Sequence, residues 1–137
     1  MGSLQRWIAA AAVVAGAQAM PATARADLHN ITYVARVDGV APGSVATFIT
    51  ADNQTNMAQL GALAGNSFQA NAVLPDPAHA GMQIAVKWPY SANVHCEIDV
   101  DDKALVQVDE VAHPVAGSTD PMNGVVACGA ALPNPAP

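Results

Sequence analysis

Four histidines, two cysteines and a run of alternating acids are the residues of this chain that could do chemistry. His95, Glu97, Asp99 and Asp101 alternate, so a strand through them presents all four on one face. Imidazole and carboxylate both bind divalent cations. Same-face neighbours on a strand stand about 6.6–7 Å apart, so only adjacent pairs could share an ion. No calcium-loop spacing occurs. The run therefore reads as a solvated strand face, and neither a metal site nor a cofactor is expected. Asp101-Asp102 and Asp109-Glu110 are the paired carboxylates that could do acid–base work. The first pair sits beside a turn. The second lies on a strand, where adjacent residues point opposite ways. His29, His79 and His113 fall in separate segments, and no serine has a nucleophile-elbow context. No reacting groups converge, so the chain is expected not to be an enzyme and to have no catalytic residues.

Cys96 and Cys128 are the only cysteines. An even count in a short exported chain implies one disulfide, which also removes any thiol nucleophile. Export is suggested by the N-terminus. Arg6 gives a positive start, Trp7 to Ala17 is apolar, and Ala24-Arg25-Ala26 is a small-x-small cleavage site. Residues 1–26 read as a signal peptide, with Asp27 opening the mature chain. Retention of that segment as an anchor is the alternative, but a membrane span needs about 20 strongly apolar residues. The mature chain is expected not to span a membrane, and to act in secreted form or in a periplasm-like envelope space. It keeps Arg36, Lys87 and Lys103 against all 11 acids, a formal charge of 3 − 11 = −8. That balance argues against nucleic acid and anionic membrane surfaces as partners.

The elements that must position these residues are strands. Asn30–Val37, Val45–Ala51, Ser67–Leu74, Met82–Trp88, Val94–Val100, Ala104–Val111 and Gly124–Ala130 alternate or are rich in β-branched residues. Turn formers separate them. About seven short strands in one domain, 27–131, predict an all-β, antiparallel, immunoglobulin-like β-sandwich with one disulfide. Met57 to Ala64 reads as an irregular crossover, and 132–137 as a disordered Pro-rich tail. For the hairpin after Val100, a three-residue turn, Asp101 to Lys103, keeps one face apolar. It pairs Ile98 with Val106, Cys96 with Val108 and His95 with Asp109.

Trp88-Pro89-Tyr90 admits two readings. Strand phase puts Trp88 with Val86 and Ile84 in the core. Alternatively Pro89 stops the ladder and exposes an aromatic rim at Trp88 and Tyr90, suited to a lipid or a partner protein.

Ile31-Thr32-Tyr33-Val34, Val45-Ala46-Thr47-Phe48-Ile49-Thr50, Val94 to Asp101 and Ala127-Cys128 together resemble the soluble domain of the mycobacterial small membrane proteins, the MmpS family. Most of 30–130 is covered. The strand around Cys96 with its late cysteine partner is the specific part. The family keeps a transmembrane helix where this chain shows a cleavable segment. The resemblance implies a β-sandwich accessory protein of the actinobacterial cell envelope, assisting an RND-type transporter that exports lipids or siderophores. Its partners would be an envelope transporter protein or a lipid-like ligand. Two alternatives stand beside it. One is a secreted protein-binding domain with no transport role. The other is a small hydrolase or metal-binding protein.

Overall fold

The computed structural model describes residues 27–61 and 66–133. The expected signal peptide and the last four residues of the expected tail lie outside them. The described residues form two antiparallel four-stranded sheets that pack face to face. The strands are β1 (His29–Asp38), β2 (Val45–Ala51), β3 (Gln54–Gln59), β4 (Asn66–Leu74), β5 (Gly81–Ala85), β6 (Ala92–Val100), β7 (Lys103–Ala112) and β8 (Val125–Gly129). One sheet has the order β4-β1-β6-β7 and the other β3-β2-β5-β8. A 3-10 turn, Pro77–His79, precedes β5 and is capped by the Asp76 carboxylate, which accepts from the Ala78 amide. Among the described residues no helix is long and apolar enough to cross a membrane.

Alternation explains the core. Ile31, Tyr33, Ala35 and Val37 of β1 point inward, as do Val94, Cys96 and Ile98 of β6, Met82 and Ile84 of β5, and Ala46 and Phe48 of β2. Burying that apolar surface drives the two sheets together. Tyr33, Phe48 and Phe68 form a tilted aromatic row with centroids 5.4 and 5.7 Å apart. The Tyr33 hydroxyl is fully enclosed and donates to the Ile49 carbonyl at 2.7 Å while accepting from the Gly81 amide at 3.3 Å. Burial pushes its pKa up to about 12, so it stays a neutral donor. Cys96 on β6 and Cys128 on β8 form the disulfide, with Cα atoms 6.1 Å apart, joining one sheet to the other.

Four sequence expectations need correction. The described residues form eight strands, not seven: the supposed crossover begins inside β3, which pairs with β2 across a tight turn at Asp52-Asn53. β3 is an edge strand and carries polar residues, so it lacks the apolar alternation of a central strand. Secondly, β5 stops at Ala85 rather than running to Trp88. The Val86 amide turns away to the Gly124 carbonyl at 2.9 Å, and Lys87 to Tyr90 form a turn closed by the Tyr90 amide on the Lys87 carbonyl. Trp88 therefore loses the inward phase and stands 60% exposed. Thirdly, the β6–β7 hairpin has a two-residue turn, Asp101-Asp102, with both residues at positive φ, 50° and 68°. A bulge beside Ile98 absorbs Leu105, after which Ile98 opposes Val106, Cys96 opposes Val108 and His95 opposes Asp109. The expected core register is reached by a different turn. Finally, Leu132 is 5% exposed, so the expected disordered tail begins with a buried side chain.

Candidate functional site: an apolar groove on one sheet

The outward face of the β3-β2-β5-β8 sheet is not a plain solvent face. Val45 opposes Ala85, and Ala85 opposes Val125. Met57 opposes Thr47, which opposes Gln83. These small and apolar side chains floor an open groove of about 560 Å³, within the size range of ligand sites. Lys87 and Trp88 of the β5–β6 connection wall one part, Pro114, Pro121 and Met122 of the β7–β8 connection another, and Leu132 contributes beyond β8.

The walls are held by local hydrogen bonds. The Asn123 side chain accepts from the Val115 amide at 2.7 Å and donates to the Val115 carbonyl at 3.1 Å. The Asp120 carboxylate accepts from the Met122 amide at 2.9 Å. The loop hangs on β5 through Val86 N–H and Gly124 O. Gly124 has φ 73°, and an added Cβ would meet the Val86 carbonyl oxygen at 2.5 Å, so this junction requires glycine. Pro121 and Met122 are thereby fixed over a floor that would otherwise be bare. The Trp88–Pro89 peptide is cis, and Trp88 projects at the opposite rim. Tyr90 is 38% exposed and lies outside the groove lining, so Trp88 and Tyr90 share a turn but not a pocket.

Among the described residues no Asp or Glu lines the groove, and Lys87 is its single charged group. Among the described residues Lys87 forms no ion pair, whereas Arg36 is held by Asp38 at 3.3 Å.

The acids and histidines collect elsewhere, on the outward face of the other sheet. His95 meets Asp109 through Nδ1 at 2.7 Å and Glu97 through Nε2 at 2.8 Å, and is only 13% exposed. The hydrogen bond to Glu97, followed by that to Asp109, raises the pKa of His95 above its ordinary value. Glu97 is lowered by hydrogen bonds from Asp99 and His95. Asp99 is pushed up to about 6, chiefly by the adjacent Glu97 carboxylate and then by burial, and one of its oxygens is enclosed without a partner. The two carboxylates at His95 sit on opposite ring nitrogens and cannot converge on one ion. Among the described residues no group of three or more His, Cys, Asp or Glu is placed to hold a metal.

Two other histidine contacts were not visible in the sequence. Ser91 Oγ and His113 Nδ1 are 2.6 Å apart, but no carboxylate among the described residues pairs with His113, and both groups are exposed. His79 lies between Asp52 and Asp76, at 3.5 and 3.6 Å, also at the surface. The groove was missed because its floor is the half-polar side of strands read for their core side, and its far wall lies in a segment that reads as turn. The available signal was the apolar content of that wrong side, Val45, Ala85 and Val125, with Met122 inside the turn segment.

Fold and site together define a cystine-linked β-sandwich with an apolar groove open on one sheet. In comparisons with known proteins no family model matches the chain, and no curated protein matches its sequence.

Proposed function

We propose that this protein is an exported, non-enzymatic binding domain that takes an apolar, lipid-like ligand in the groove between Trp88 and Met122. The observation that carries the reading is an apolar-walled groove of about 560 Å³ free of carboxylates, in a chain otherwise rich in them. An exposed indole at such a rim is a costly feature for a solvent surface and a useful one for a ligand, because aromatic groups contribute heavily to contact energy. A disulfide fits an oxidising compartment. The MmpS resemblance supports the same class of role: an accessory domain of the actinobacterial envelope, handing a lipid or siderophore to an RND-type transporter.

The test is calorimetric titration of the full chain with dodecanol, kept below its solubility limit. One saturable site is expected. Ala85→Trp fills the floor and should abolish binding. Trp88→Ala should weaken binding about tenfold while changing stability by less than about 1 kcal/mol, since the side chain is exposed. Binding that both variants leave unchanged would place the ligand elsewhere and end this reading.

A further inference from the structure

The groove's one charged residue narrows what its occupant can be. Lys87 lies two residues beyond Ala85, where the floor meets the β5–β6 connection. Its aliphatic stem passes Gly43, where an added Cβ would stand 3.4 Å from Lys87 Cδ. Lys87 is an exposed member of a wall whose other residues are apolar or neutral, and it has no carboxylate partner among the described residues. The chain carries 11 acids against five basic residues, so a lone cation beside an apolar floor is the exception to its surface.

Resting on the groove reading, we infer that the ligand is an anionic single-chain amphiphile, such as a fatty acid, whose head group pairs with Lys87 while its chain lies on Val45, Ala85 and Val125. A cationic amphiphile would meet an unpaired like charge at the mouth. A neutral one would gain nothing from the ammonium, which is exposed to water. A carboxylate accepts a charge-assisted hydrogen bond there, which is stronger than a neutral one. The acidic face on the other sheet, with Glu97, Asp99 and Asp109, offers an anion no competing site. Discrimination is therefore local to one residue.

The experiment compares dodecanoate, dodecanol and dodecylammonium at pH 7.5, below the concentrations at which they self-associate, by calorimetric titration of the full chain. Dodecanoate should bind about tenfold or more tightly than dodecanol, as a hydrogen bond to a charged group warrants. Lys87→Met keeps the stem, and should erase that preference without loss of dodecanol binding. Lys87→Arg should retain it. Equal affinity for dodecanoate and dodecanol, a preference unaffected in Lys87→Met, or tighter dodecylammonium would overturn the head-group inference and leave the groove reading standing. Failure of all three probes to bind would sink the groove reading and this inference with it.

Discussion

His95 is gripped at both ring nitrogens, and further along the same face the Glu97 carboxylate holds the pKa of Asp99 up. These groups make stability depend on pH in opposite senses. His95 has a raised pKa, so its contribution is complete below about 6.5 and is lost as pH rises through the folded value. Glu97 is lowered, so its contribution is present above the ordinary value of 4.5 and lost on acidification. Asp99 is raised to about 6 from 3.8, so the folded state binds its proton more tightly and stability declines as pH rises from 3.8 to 6. Above 4.5 the Glu97 contribution is complete while that of Asp99 is falling, so the cluster is most favourable between pH 3.8 and 4.5. Asp99→Asn removes the forced ionisation beside Glu97. It should raise Tm by a few degrees at pH 7.5 and by little at pH 4.5, measured by thermal melts across that range. The His95–Asp109 pair was legible from strand register alone. The mutual perturbation of Glu97 and Asp99 was not, because backbone spacing of about 6.6–7 Å suggests independence.

At the scale of elements, most strand positions were legible because each central strand carries a full apolar face. The exceptions follow one rule: alternation says which face is inside but not how the chain arrives there. At the β6–β7 hairpin, two turn residues and a bulge give the same inner face as three turn residues, and the pattern cannot distinguish them. At the end of β5 the alternation continues to Trp88 after pairing has ceased, so the sequence offers an inward phase that no neighbouring strand enforces. The turn itself is improvable. Asp101 is used: its carboxylate accepts from the Asn30 amide at 2.9 Å and bonds His29 at 2.7 Å, tying the turn to the start of β1. Asp102 has φ 68° and makes no such contact among the described residues, while its charge raises Asp99 further. Asp102→Gly should therefore stabilise the protein by about 0.5–1 kcal/mol, read from the midpoint of denaturant unfolding at unchanged slope.

For the whole molecule, the disulfide is the single side-chain cross-link between the two sheets among the described residues, and the cysteine count alone announces it. Its ends are 32 residues apart in sequence. Closing a loop of that size restricts the unfolded chain by roughly 3–4 kcal/mol on the entropic account. Replacing Cys96 and Cys128 together by Ser should lower the unfolding free energy by about that amount, measured in urea, and far-UV circular dichroism should show the strand content retained.

The order in which the chain visits the sheets has a consequence in time. Only β2–β3 and β6–β7 are neighbours both in sequence and in a sheet; β1 pairs with β4 and β6, setting Ile31 opposite Val100. Contacts so distant along the chain must wait for large loops to close, and sandwiches of this kind take on the order of milliseconds to seconds to fold. Through that interval β2, Val45–Ala51, an uncharged segment with high strand propensity, has only its local partner β3, and its other edge waits for β5. Refolding then becomes a race. Pairing within one chain proceeds at a rate indifferent to concentration, while pairing between chains accelerates with it, so the yield of native protein is set by dilution as well as by stability.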